Sequence, residues 1–224
     1  MNAEHMAKFY NSSGVTEGNE PFSERSSMLF DRIRTHCEKN VASATALEIG
    51  CGNGRWSFEL EKMGYAITGI DCADKMIDYA KNFAKNIGSK AKFVVGNALE
   101  MPFEADLFDS VFLLGNNIVE FSYDDIDKMC CQIAVILKNS GVFCLEMNDM
   151  FIHWNKGEPK TNFDDYNYGN SRLTNHYQIP KFGSTPYHSY IWTIGMFNFI
   201  AGKHFDLVDS QLIEGHRFWI ECRI

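Results

Sequence analysis

Three glycines at alternating positions, Gly50, Gly52 and Gly54, constrain this 224-residue chain more than any other feature. They follow a short, mostly apolar run at 44–49, which predicts a buried strand, and they precede 55–62, which predicts a helix. A glycine-rich turn at a strand-to-helix junction lets the main chain turn sharply and lets a ligand approach the backbone. The helix behind it offers N–H groups and the positive end of its dipole to an anionic ligand group. Three readings compete for such a turn. The dinucleotide fingerprint GxGxxG needs a glycine where this chain has Arg55, and a phosphate loop needs a Gly-Lys-Ser/Thr ending that is absent. A plain strand-to-helix turn needs no ligand at all, and the loop alone does not exclude it.

The same alternation runs on. Residues 65–70, 92–95, 110–114 and 142–147 read as further strands. A helix is expected from Ser23, with Met28, Leu29, Ile33 and Cys37 on one face. Another, capped by Asp74, places Met76, Ala80, Phe83 and Ile87 on one face and ends at Gly88. A third opens on a Ser122/Asp125 capping box, turns Ile126, Met129, Ile133, Ile136 and Leu137 inward and stops at Gly141. Strands alternating with helices predict an α/β fold, a doubly wound parallel sheet with helices on both faces and right-handed crossovers. The functional crevice is then expected at the carboxyl ends of the strands, where the strand order reverses.

The two ends of the chain depart from the pattern. Residues 1–22 are polar and read as a loose arm, so that 1–43 comprise an N-terminal arm and a helix. Residues 148–189 are rich in Asn, Gly, Tyr and His without clean periodicity. Beyond them 190–203 reads as a helix and 205–213 and 217–223 as two strands. The Glu-Gly-His link between these strands is too short for a parallel crossover, so the sheet is expected to end in an antiparallel strand. The length suits one domain, 1–224.

Composition narrows the function classes. The formal net charge of −8 weighs against nucleic acid and anionic membranes as partners. The seven cysteines form no CxxC pair, which removes support for zinc-ribbon and thioredoxin readings. Cys51, Cys72, Cys130, Cys131 and Cys144 sit in apolar segments and are expected to be reduced core residues of a cytoplasmic protein. The first ten residues carry no apolar run, so no signal peptide is expected, and no stretch approaches the length of a membrane span.

Two further elements decide among the readings of the glycine turn. Asp71 ends the next strand, about 20 residues on, where a carboxylate can accept both hydroxyls of a ribose. After the third strand, the Asn97 side chain can hydrogen-bond an adenine amino group while the Ala98 and Leu99 backbone meets the ring edge. Together these segments resemble the class I S-adenosylmethionine-dependent methyltransferases. Glu48 to Gly54 matches the family's acid-x-GxGxG motif, Asp71 the ribose acid, and Asn97 stands where many members have aspartate. Residues 108–116, 136–143 and the terminal hairpin match later family segments, and the resemblance covers 23–147 and 190–224.

The resemblance implies a Rossmann-like seven-stranded sheet with an antiparallel last strand, S-adenosyl-L-methionine as cofactor, and an inserted substrate cap at 148–189. It implies cofactor contacts from Glu48, Gly50, Cys51, Gly52, Asp71, Cys72, Met76, Asn97, Ala98, Leu99, Leu114 and Gly115. Enzymes similar to the glycine and sarcosine N-methyltransferases also close an N-terminal Tyr and an Arg over the cofactor carboxylate, places comparable to Tyr10 and Arg25. They carry Gly-Asn-Ser after strand four, where this chain has Gly115-Asn116-Asn117, and often a histidine where it has Glu120. Asn116 and Glu120 are therefore candidate catalytic residues, and His153, His176 and His188 of the cap are candidate bases. Asn116 and Asn148-Asp149 offer one carboxylate where some O-methyltransferases hold magnesium with acids, so no metal is expected. The expected acceptor is a small molecule with a nitrogen or oxygen nucleophile. A tRNA or protein methyltransferase, and a non-catalytic module that only binds the cofactor, are the alternatives.

Overall fold

The computed structural model describes residues 3–13, 29–36, 44–149, 166–167, 172–179 and 183–224. Its strands are β1 (Thr45–Ile49), β2 (Ala66–Asp71), β3 (Lys92–Val95), β4 (Phe108–Leu113), β5 (Leu137–Asn148), β6 (Tyr166–Asn167), β7 (Arg172–Ile179), β8 (Gly183–Tyr190), β9 (Leu207–Glu214) and β10 (Arg217–Arg223). Seven of them form one sheet in the order β3-β2-β1-β4-β5-β10-β9. The first five are parallel, and β10 runs antiparallel to both β5 and β9. The order reverses between β1 and β4, so their carboxyl ends frame the expected crevice.

The helices are α1 (Ala3–Ser13), α2 (residues 29–36), α3 (Arg55–Lys62), α4 (Asp74–Ile87), α5 (Tyr123–Ile136) and α6 (Ile194–Ala201). Successive side chains on a strand point to opposite faces, and the core divides accordingly. Val111, Leu113, Phe143, Leu145 and Met147 pack with Ile126, Met129 and Ile133 of α5 and with Trp192 and Phe197. Phe112, Leu114, Val142 and Cys144 pack on the other face with Leu29, Ile33 and Leu60. The doubly wound α/β sheet with an antiparallel end is the fold read from the sequence. No described helix is long and apolar enough to cross a membrane.

Several boundaries differ from expectation for physical reasons. Residues 3–13 are not a loose arm but helix α1, because Met6 and Phe9 lie three apart and bury one face. Asp74 is the first residue of α4 rather than its cap; the cap position belongs to Ala73, whose N–H is held by Asp71. The buried face of α4 is Met76, Ile77, Ala80 and Ala84, and Ile87 is exposed. Helix α5 keeps its Ser122/Asp125 capping box but ends at Ile136, because Leu137 pairs with Phe108 and begins β5. That pairing also starts β4 two residues before Ser110. Thr193 caps α6 by accepting from Met196 N, which starts that helix later than residue 190. Cys131 is exposed, because it adjoins buried Cys130 on a helix and so points elsewhere. Within the segment without periodicity, β6, β7 and β8 form a three-stranded antiparallel sheet.

Candidate functional site

The glycine turn is built as the sequence requires. Gly50, Gly52 and Gly54 adopt φ of 67°, 52° and 84°, in the left-handed region that side chains disfavour. A Cβ at Gly54 would lie 2.8 Å from the Phe93 ring, and one at Gly50 would lie 2.9 Å from Asn117 Nδ2. The Ile70 carbonyl accepts both the Gly50 N–H at 2.9 Å and the Cys51 N–H at 3.1 Å. Asn117 Nδ2 donates to the Gly50 carbonyl at 3.0 Å.

Two carboxylates stand behind and beside this turn. Glu48 is buried at the end of β1 and accepts a hydrogen bond from the Ser57 hydroxyl. Burial pushes its carboxyl up to about 8, and the Ser57 bond opposes that rise only in part. Asp71 closes β2. Its Oδ2 accepts the Gly52 N–H and its Oδ1 the Ala73 N–H, each at 2.8 Å. Burial raises its carboxyl above the usual range, and these N–H donors pull the other way. Burial likewise pushes the neighbouring Cys72 thiol up to about 12, so the cavity wall there is neutral.

A cavity opens over these strand ends. Its walls include Gly50, Ile70, Asp71, Cys72, Gly96, Asn97, Ala98 and Leu99, and Ala3, Met6 and Tyr10 of α1 line it with Glu120 and Phe121. It holds about 560 Å³ of space between atoms, open mouth included. The Asn97 Oδ1 accepts the Leu99 N–H at 2.9 Å and keeps a second acceptor direction for an amino group. Helix α1 is pinned to α4, since Asn11 Nδ2 donates to Asp74 Oδ1 at 2.6 Å and Lys75 N donates to Asn11 Oδ1 at 3.1 Å. From that position the Tyr10 hydroxyl donates to the Glu120 carboxylate. Left-handed glycines, an acid at the end of β2 and an amide beyond β3 offer the group types an adenosine ligand would need.

Tyr10, Gly50, Asp71, Cys72, Asn97, Ala98, Leu99 and Glu120 thus meet in one cavity. Others stand behind it. Met76 backs the glycine turn, its Cε 3.4 Å from where a Cβ on Gly52 would lie. Cys51 turns its thiol into the core cluster with Phe58, Ile77 and Phe93. Leu114 is buried on the opposite face of the sheet, and Gly115 takes φ 74° beside it. Asn116 is engaged with β5: its N–H donates to Glu146 Oε2 at 2.8 Å, and its Oδ1 accepts the Asn148 N–H at 2.9 Å. Asp149 Oδ2 accepts the Ile194 N–H at 2.8 Å, at the start of α6. Arg25 and His153 lie outside the described residues. His176 falls on β7 opposite Pro186, and its side chain lies outside the described set, as does that of His188 opposite Thr174.

Four residues at the site are not among the candidates read from the sequence. Ala3 and Met6 enter through the helix taken for a loose arm. Gln132 of α5 clamps the loop after β3, with Nε2 donating to the Leu99 carbonyl at 2.8 Å and Oε1 accepting the Met101 N–H at 2.9 Å. Asn117 fastens the glycine turn from 67 residues away.

Comparison with known proteins agrees with this geometry. A family model described as a methyltransferase domain matches residues 46–141. The demethylmenaquinone methyltransferase of Lactococcus lactis is 31% identical over 112 residues, 48% of this chain and 43% of that protein. The match therefore spans less than half the length of that relative. The crystal structure of PH0226 from Pyrococcus horikoshii aligns with a TM-score of 0.78 at 20% identity, covering 96% of this chain and 98% of the other. A SAM-dependent methyltransferase structure from Methanosarcina mazei aligns at 0.69 and 20% identity, over 84% and 96% of the two chains. At these identities the structural likeness is one of fold.

Proposed function

We propose that the chain is a class I S-adenosylmethionine-dependent methyltransferase that transfers a methyl group to a small-molecule acceptor, a reading supported by the methyltransferase-domain match over residues 46–141 and by the glycine, acid and amide that line the cavity. The bound cofactor supplies a methyl group on a sulfonium, which leaves as a neutral thioether when the acceptor's lone pair attacks in line. The work left to the chain is to hold the two reactants in attack geometry and exclude water. Asp71 accepts the ribose hydroxyls, Asn97 and the Ala98–Leu99 backbone meet the adenine edge, and Gly50 to Gly54 let the main chain approach.

The acceptor side rests on one observation. Among the described residues, the charged groups lining the cavity are two carboxylates, Asp71 and Glu120, and α1 covers the mouth beside them. Such a lining suits a small neutral or cationic acceptor better than a phosphate backbone. We assign Glu120 to the acceptor, as a group that takes a proton from an amine or hydroxyl or pairs with an ammonium. Tyr10 holds that carboxylate in place. The three-stranded insert β6–β8 is the substrate cover in this reading. The relative from Lactococcus lactis, by its name, acts on demethylmenaquinone, itself a small molecule. The test is release of S-adenosylhomocysteine from panels of small amines, phenols and carboxylic acids, run beside total tRNA and peptide pools. Turnover confined to small acceptors is expected. Turnover confined to tRNA or peptide, or cofactor binding without turnover on any panel, overturns the proposal.

A further inference from the structure

We propose that Asn117 is a positioning residue, which fixes the cofactor turn and links its occupancy to the cover of the cavity. The Gly50–Cys51 peptide is held at both ends. Its N–H donates to the Ile70 carbonyl at 3.1 Å, which ties it to β2. Its carbonyl accepts from Asn117 Nδ2 at 3.0 Å, which ties it to the turn after β4. The amide sits where a Cβ on Gly50 would lie, so the glycine and the asparagine are matched in shape. One residue further, the Gly52 N–H holds Asp71, so the tilt of this peptide sets where the ribose carboxylate points.

The turn that presents Asn117 is itself anchored. Asn117–Glu120 form a single 3-10 turn whose Ile118 is fully buried. Trp192 Nε1 donates to the Phe121 carbonyl at 3.0 Å, and the Tyr123 hydroxyl donates to the Ile191 carbonyl at 3.0 Å. Strand β8 packs beside the same turn. At its far end Glu120 receives the Tyr10 hydroxyl of α1. One short turn therefore touches the glycine turn, the N-terminal helix and the inserted sheet. A ligand that orders the Gly50–Cys51 peptide orders Asn117, and through the rigid turn it orders Glu120 and Tyr10.

The experiment titrates S-adenosylhomocysteine into wild type, Asn117→Ala and Asn117→Asp by calorimetry. It pairs each titration with hydrogen exchange over residues 3–13, 50–54 and 117–121. Asp keeps the shape but sets an anion against a carbonyl in place of a donor, so it tests the hydrogen bond apart from packing. Both variants are expected to bind about tenfold more weakly, as the loss of one buried hydrogen bond implies. Ligand-induced protection of 3–13 is expected in wild type and is expected to fall away in both variants at saturating ligand. Affinity within about twofold of wild type in both variants overturns the proposal. So does weaker binding that leaves the protection of 3–13 unchanged, since Asn117 would then be a local support only.

Discussion

The carboxyl ends of β1 and β2 and the carboxyl end of β5 each bury carboxylates, and they neutralise them differently. At β5, Glu146 lies 3.1 Å from the Arg217 guanidinium Nε and also accepts the Asn116 N–H. Burial raises its carboxyl, and the arginine opposes the rise. At β1 and β2, Glu48 meets a serine hydroxyl and Asp71 meets main-chain N–H groups. A strand end that must only hold the sheet together brings its own cation. The β1 and β2 ends support their acids with neutral donors, a hydroxyl and main-chain N–H groups.

Four measurements would break or sharpen that contrast. The largest effect is expected at Glu48, whose carboxyl moves from 4.5 to about 8 on folding. Folding then takes up a proton, so the ligand-free domain should lose stability as pH rises from about 4.5 to about 8. Glu48→Gln, which mimics the protonated acid, should flatten that slope and gain about 4 kcal/mol over wild type near pH 8. Parallel pH curves in denaturant unfolding would remove the burial argument. Next comes Asp71→Ala, expected to cost about 3 kcal/mol of cofactor binding, about 100-fold in dissociation constant, and about 1 kcal/mol of stability from the Gly52 and Ala73 N–H groups it leaves unpaired. An unchanged constant by calorimetry would refute the ribose assignment.

Arg217→Ala should show the reverse pattern. It leaves Glu146 buried without its guanidinium and should cost about 2 kcal/mol in unfolding, discounted because Arg217 is partly exposed, while the cofactor constant moves only a few-fold. A large affinity loss with intact stability would place β5 in the cofactor site. The smallest effect concerns Glu221 on β10. The His36 hydrogen bond is the main cause that lowers its carboxyl from 4.5 to about 2. That pair contributes stability above pH 4.5 which is lost as pH falls toward 2; with the group half-buried, about 1 kcal/mol is at stake. Glu221→Gln should remove this acid dependence, and an unaltered acid limb would assign it to other carboxylates.

The β1–β2 side was legible in sequence because its signals are local. Gly50, Gly52 and Gly54 need left-handed backbone at fixed spacing, and Asp71 stands at a strand end that hydropathy alone locates. The parallel, doubly wound sheet followed from alternation, and its antiparallel end from the short link before β10. The β4–β5 side was less legible because its contacts are distant in sequence. Asn116 reads as a residue facing ligand, and the sequence gives no hint that its Oδ1 accepts the Asn148 N–H, 32 residues on. Asn117 gives no local hint of Gly50, and Tyr10 meets Glu120 across 110 residues. In the inserted sheet β7 alternates, with Leu173, Tyr177 and Ile179 at one parity and Arg172, Thr174, His176 and Gln178 at the other, but Gly183 to Tyr190 of its partner β8 does not, so the pair offers no shared period of two.

Strand β10 lies between β5 and β9, inside the sheet, although it follows every other sheet strand in the sequence. Until residues 217–223 arrive, the largely apolar β5 has a row of unpaired backbone hydrogen-bonding groups along one edge. Loop closure over so long a separation is slow, and an open apolar edge is where chains pair with one another. Expression yield and aggregation should therefore respond more sharply to changes in β10 than in β3, the edge strand at the far side of the same sheet.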